Sequence, residues 1–284
     1  MSAVNVRPMS AADIPQAASV ALAAFEIDAD EPEIHSRWQR NIGYRLSTDP
    51  GGSFVTEHQG AVVGVAQALV RERLWILSML TVSPTLLRPG GGDGRALMKA
   101  GLAYGRDTEA GIIMASNDPR ALRLYGSSGF ALEPTFEAQG RIDPDRIPAL
   151  DPDITQVSAA QIPELAPISR ALRGAAHTQE LENAVNDGAS IFRLRDSGFV
   201  LTIPERGVAA LAARDEAAAT ALLWHGLAHL KDDALTTVDF ITARQQWAIE
   251  VLLAARLPFK SLGAIAVRGY PGPLWPYIPS PPYG

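Results

Sequence analysis

The sequence states one plan twice, and that repetition narrows the folds open to it more than any other feature. "VNVRPMSAADIPQAASVALAAF" reads as a short strand, a capping serine and a helix with an apolar stripe. "DITQVSAAQIPELAPISRALRGAA" repeats the order, with Ser158-Ala159-Ala160 echoing Ser10-Ala11-Ala12. Each opening is followed by a second helix, three strands, a helix, a strand and a helix. In the first copy these fall at 34–46, then 53–58, 61–72 and 74–83, then 94–105, 110–116 and 119–127, with two short strands to finish, near Phe130 and over 135–142. In the second copy they fall near 178–187, then 190–196, 199–204 and 207–214, then 216–230, 236–241 and 244–257. Between the copies "RIDPDRIPALDPD" is rich in Pro and Asp and reads as a linker. The expected organisation is a domain at 1–141, a linker at 142–153 and a domain at 154–284. The fold class is α/β (α+β), each domain a mixed, mostly antiparallel twisted sheet flanked by helices.

Composition matters here for what it excludes. The chain has no cysteine, which removes disulfides, thiolate nucleophiles and Cys-ligated metal centres together. A formal net charge of −6 with no Lys/Arg cluster gives no reason to expect nucleic acid. No stretch approaches the ~18 uninterrupted apolar residues of a membrane span. The opening residues lack a charged start followed by an apolar run, and the chain reads as cytoplasmic. A mildly acidic surface suits a basic small molecule, with the protein a monomer or homodimer.

One local stretch carries chemistry. "RPGGGDGRALMKAG", residues 88–101, gathers Gly90, Gly91, Gly92 and Gly94 into the turn before a helix. Glycine is costly in ordered structure, so such a run marks a tight turn or a ligand pressed on peptide N–H groups, and phosphate is the natural ligand at a helix start. Two nucleotide readings fail. A dinucleotide fingerprint needs a third glycine where Leu97 stands, and a Walker loop needs Gly-Lys-Ser/Thr where the chain has Gly94-Arg95-Ala96. In the second copy the corresponding place is "ARDEAAAT", without glycine, so only one half could hold a phosphate this way.

With the downstream text "SNDPRALRLYGSSGF", in which Asn117 ends a strand and Tyr125 sits on a helix before Gly129-Phe130, the loop resembles the signature of the GNAT acetyltransferase superfamily. The resemblance covers residues 4–141, and the second half is similar to a degenerate GNAT domain, so the whole is similar to a tandem GNAT. In one respect it departs from the family pattern: Arg88 lies a residue further past Val82, and Gly92-Asp93-Gly94 two residues further on. Either the loop holds a small insertion or Arg88-x-x-Gly91 is the true register.

The resemblance implies acetyl-CoA as co-substrate. Its pantetheine arm would lie along the strand holding Leu80, Thr81 and Val82, with a backbone N–H near Leu80 or Thr81 for the oxyanion. Its pyrophosphate would lie on the loop formed by Arg88, Gly90, Gly91, Gly92, Asp93, Gly94 and Arg95. Tyr125 matches the family's proton donor, since a phenol near pKa 10 stays protonated where a thiol near 8.5 ionises. Asn117 either orders the cofactor arm or caps the next helix. Glu26, Asp28, Asp30, Glu31 and Glu33 lie where the family lines its acceptor site. Glu26 is the first candidate for a general base, against the alternative of a solvated acidic loop. The tail "YPGPLWPYIPSPPYG" either packs on the body or brings Trp275 and Tyr277 to the acceptor. His225 and His229 share a helix face but read as structural residues, not metal ligands. The implied activity is N-acetylation of a small polar amine, with kasugamycin-type aminoglycoside antibiotics fitting the profile. A non-catalytic acyl-CoA sensor and a protein N-terminal acetyltransferase are the alternatives.

Overall fold

The computed structural model describes residues 4–27, 31–85, 91–204, 206–230 and 235–284. Its contacts divide the chain into two compact units, Met1–Thr108 and Glu109–Gly284.

The first unit runs β1 (Val6–Pro8), α1 (Ile14–Ala24), α2 (Pro32–Thr48), β2 (Ser53–His58), β3 (Ala61–Arg71), β4 (Leu74–Val82) and α3 (Asp93–Tyr104). Its strands pair antiparallel in the order β1-β2-β3-β4. Along β3 the successive residues Val62, Val63, Val65, Ala66, Ala68 and Leu69 are all buried. Alternate side chains point to opposite faces, so this strand is covered on both, which is why "AVVGVAQALV" reads as a continuous apolar run. Its polar interruption, Gln67, is satisfied internally, donating to the Ile42 carbonyl at 3.0 Å and accepting from Arg45 at 3.0 Å. Asp49, after α2, accepts from the Val70 N–H at 2.9 Å and the Tyr104 hydroxyl at 3.0 Å and pairs with Arg71 at 2.8 Å. The end of α3 is thereby tied to the end of α2.

The second unit runs β5 (Ala110–Ala115), α4 (Pro119–Ser127), β6 (Ala131–Gly140), β7 (Ile154–Gln156), α5 (Ala166–Arg173), α6 (Thr178–Asn186), β8 (Ser190–Leu194), β9 (Gly198–Ile203), β10 (Gly207–Ala213), α7 (Glu216–Ala228), β11 (Thr236–Thr242), α8 (Gln246–Ala254), β12 (Phe259–Arg268) and β13 (Tyr277–Ile278). The strand order is β5-β12-β6-β11-β10-β9-β8-β7, with β13 on β10. Pairing is antiparallel except between β10 and β11. Both serine caps form as expected. The Ser10 N–H and hydroxyl reach Asp13 at 2.7 and 2.8 Å, and those of Ser158 reach Gln161 at 3.0 and 2.9 Å.

Two features differ from the sequence expectation. The strands expected near Phe130 and over 135–142 are one strand, β6. Pro134 does not break it: it pairs with Ala264, at the edge of the irregularity in β12 between Ser261 and Ala264. Strand β12, which the pattern reading does not contain, then inserts between β5 and β6, and β6 pairs onward with β11. Strands from the two sequence copies therefore alternate in one sheet. The compact units divide at Thr108/Glu109.

Among the described residues, no helix is long and apolar enough to cross a membrane, and no group of three or more His, Asp or Glu is placed to hold a metal.

Candidate functional site

In the first unit, β4 carries a bulge. Met79 pairs with Gln67 but Leu77 with Ala68, leaving Ser78 as the extra residue. A bulge bends its strand and re-aims the residues beyond it, here Leu80, Thr81 and Val82. The hydroxyls of Ser78 and Thr81 are buried without hydrogen-bond partners among the described residues, an unusual pair on one short strand.

The glycine-rich turn delivers an open helix start. Gly92 is the N-cap of α3 in the left-handed region, φ 74°, and among the described residues no side chain caps the helix. Among the described residues nothing lies within 4 Å of where a Cβ would project from Gly92. The first helical bond runs from the Ala96 N–H to the Gly92 carbonyl at 2.9 Å. The N–H groups of Asp93, Gly94 and Arg95 thus lack helical acceptors, as at any helix start, and no side chain replaces one. The Asp93 carboxylate is buried, with Oδ1 unpartnered among the described residues, leaving its backbone N–H as the group it offers. Gly91 is half-buried and Arg95 exposed. Arg88 and Gly90 lie outside the described residues.

Asp28 and Asp30 also lie outside them. Glu26 comes just after α1 in a left-handed conformation, φ 55°, and is exposed, as are Glu31 and Glu33. Beside these carboxylates Phe25 and Ile27 are 43% and 36% exposed, and the Phe25 and Trp38 ring centroids lie 5.6 Å apart. The sequence pattern gives no sign of His35. Its ring joins Ser19 of α1 at 3.2 Å and Gln39 of α2 at 2.8 Å, so both nitrogens are occupied in fixing the two helices that carry this surface.

In the second unit, Tyr125 sits on α4 and is buried. Burial, with the nearby Asp118 carboxylate, raises its pKa well above the ordinary tyrosine value, so the phenol is protonated at any working pH. Its hydroxyl makes no hydrogen bond among the described residues. Asp118 caps α4 by accepting from the Arg120 N–H at 2.8 Å. Asn117 does not cap the next helix, a role taken by Asp118: its amide bonds to β12, accepting from the Gly263 N–H at 2.7 Å and donating to the Ser261 carbonyl at 3.1 Å.

The tail corrects another expectation. Tyr277 is 2% exposed and packs in a core with Ile162, Leu172 and Phe199, its hydroxyl donating to the Gly284 carbonyl at 2.7 Å. A residue so enclosed cannot wall a pocket for acceptor. Trp275 is partly exposed and remains accessible. His225 and His229 flank the Phe192 ring at 4.8 and 4.2 Å, packing against an aromatic face as structural residues do.

The counterpart of α3 in the second copy, α7, is closed to anions. Asp215 caps it by accepting from the Ala218 N–H at 2.8 Å, and Glu216 stands in its first turn. The cleft of about 510 Å³ beside it is lined by Glu216, Thr220, Gln246, Trp247 and Glu250, two carboxylates where a pyrophosphate would need donors.

The sequence profile of the acetyltransferase (GNAT) family matches residues 17–130. No curated protein matches the chain. Among solved structures, a provisionally assigned acetyltransferase from Pyrococcus horikoshii superposes with a TM-score of 0.81 at 16% identity, covering 100% of this chain and 97% of the other. A GCN5-related N-acetyltransferase from Sphaerobacter thermophilus gives 0.57 at 17% identity, covering 95% and 96%. A tandem GNAT protein from the clavulanic acid biosynthesis pathway gives 0.57 at 14% identity, covering 94% and 98%. At these identities the likeness is one of fold, and that fold is the tandem GNAT.

Proposed function

We propose that this chain, which carries an acetyltransferase domain of the GNAT family and is an acetyltransferase by that membership, transfers the acetyl group of acetyl-CoA to the amine of a small, polar, cationic molecule. Acetyl-CoA supplies the acetyl group as a thioester, and the residues present fit it. The uncapped start of α3 offers the N–H groups of Gly92 to Arg95 to a pyrophosphate with a favourable helix dipole. The bulged end of β4 offers backbone groups at Leu80 and Thr81 for the oxyanion that forms when an uncharged amine attacks.

Tyr125 holds a proton for the departing sulfur. Because its pKa is raised so far above that of a thiol, near 8.5, it acts chiefly as a hydrogen-bond donor to the nascent thiolate. The net proton comes from the attacking amine. Glu26 is the carboxylate we assign to receive that proton, through water.

The acceptor class is carried by one observation: exposed Phe25 and the Trp38 ring at 5.6 Å from it, beside the exposed carboxylates of Glu26, Glu31 and Glu33. Aromatic faces and carboxylates together favour a cation with an apolar or sugar face, each cation–π contact contributing ~0.5–2 kcal/mol. Aminoglycoside-type antibiotics, kasugamycin among them, have this character.

Free-thiol release from acetyl-CoA should be followed with aminoglycosides, kasugamycin, polyamines and peptides with free N-termini. The expected result is turnover with one of the polycationic small molecules. Turnover on peptides alone would move the function to protein N-terminal acetylation, and acetyl-CoA binding without turnover on any amine would make the chain a sensor.

A further inference from the structure

We propose that Asn117 is a positioning residue for acetyl transfer and not a cofactor ligand: with both ends of its side-chain amide it locks the bulge of β12 to the end of β5, and so sets the helix that carries Tyr125. The proposal rests on the role assigned above to Tyr125.

The bulge is held from both neighbouring strands. Between Ser261 and Ala264, β12 has one residue more than β6 opposite it. Asn117, from the end of β5, accepts from the Gly263 N–H at 2.7 Å and donates to the Ser261 carbonyl at 3.1 Å. Thr135 of β6 donates its hydroxyl to the Leu262 carbonyl between them. Gly263 stands in the left-handed region at φ 45°, and a Cβ there would lie 1.8 Å from the Ala115 carbonyl oxygen. Only glycine permits β12 to come that close, so the contact is specified from both strands. A fluctuating loop residue would not meet a partner shaped for it in this way.

From this lock to Tyr125 the chain has little freedom. Asp118 caps α4 and pairs with Arg120 at 2.7 Å, and Pro119 fixes the first helical φ. At the other end of α4 the Phe130 N–H returns to the Tyr125 carbonyl at 3.2 Å, and the Arg268 guanidinium lies 5.2 Å from the centre of the Phe130 ring. Arg268 is the last residue of β12. One strand, contributed by the second sequence copy, therefore braces the tyrosine helix at both ends. A displacement of a reacting group by ~1 Å can cost about a hundredfold in rate, so a lock of this kind reads out in kcat.

The test compares wild type, Asn117→Ala, Asn117→Asp and Gly263→Ala by steady-state kinetics, acetyl-CoA calorimetry and hydrogen exchange. Asn117→Ala should lower kcat roughly tenfold or more while acetyl-CoA affinity stays within about twofold, and exchange at the Gly263 amide and along α4 should quicken. Asn117→Asp retains the acceptor for the Gly263 N–H and should recover part of the lost kcat. Gly263→Ala attacks the lock from the other strand and should reproduce the kcat loss. Should that variant not fold, Asn117→Ala decides alone. A weakened acetyl-CoA affinity in Asn117→Ala with unaltered exchange would make it a cofactor ligand and overturn the proposal, as would unchanged kcat. Faster exchange in Asn117→Ala, with Tyr125→Phe leaving kcat at the wild-type value, would instead place the error in the role given to Tyr125.

Discussion

Tyr125 combines enclosure with a hydroxyl that makes no hydrogen bond among the described residues, and the two together suit the role proposed for it, donating to sulfur without ionising. Tyr125→Phe should lower kcat by one to three orders of magnitude with little change in the acetyl-CoA KM. Because burial raises the phenol's pKa, no falling limb assignable to Tyr125 should enter the kcat profile below about pH 10. Full kcat in a folded Phe variant would remove it from the mechanism. A second residue-scale prediction concerns His177, fully enclosed, bonded to the Gly284 carbonyl at 3.0 Å, with its pKa lowered well below 6.5 by burial and by the Arg173 charge. Above pH 6.5 the ring is neutral in both folded and unfolded chains. Below it, the unfolded chain takes up a proton that the fold refuses, so stability falls as pH falls through and below 6.5. Melting temperatures measured from about pH 7 to 5 should decline less steeply in His177→Gln than in wild type, and equal slopes would contradict this account. Of these residues the sequence singled out Tyr125, from a local pattern of Tyr before Gly-Phe, while its burial depends on packing that no local pattern reports. It mistook Tyr277, since an aromatic, proline-rich tail looks the same whether it faces solvent or closes a core.

At the scale of elements, α3 and α7 show how one position in a repeated plan separates two uses. The first begins on a left-handed glycine with no cap, and the second on an aspartate that takes the free N–H for itself. This contrast was legible, because glycine content and capping residues are local signals. Gly92→Ala would force alanine to φ 74° at a cost of about 1–2 kcal/mol with no clash, and should raise the acetyl-CoA KM several-fold. A lower melting temperature with unchanged KM would reduce the loop to a structural turn. Strand β12 was not legible in the same way. Its partners β5 and β6 are set by pairing across more than a hundred residues, which period-2 patterning cannot report. Nor could patterning show that Pro134, normally a strand breaker, lies inside β6 at the edge of the bulge in β12.

For the whole molecule, the consequence of β12 lying between β5 and β6 is that the two sequence copies are not independent folding units. A fragment of residues 1–141 would leave β5 and β6 without the strand that joins them and β6 without β11. Such exposed edges favour aggregation, and the fragment should be insoluble or lack a cooperative thermal transition. A soluble, cooperatively melting fragment would show that the interleaving is dispensable. The duplicated plan is nevertheless asymmetric, with a helix start that no described side chain caps in one copy and a carboxylate-lined cleft in the other. The central claim, that this is an acetyl-CoA-dependent transferase with one working half, is tested most directly by titrating the intact chain with acetyl-CoA in a calorimeter. The account predicts saturable binding at a single site per chain. Two equivalent sites, or no binding at all, would contradict it.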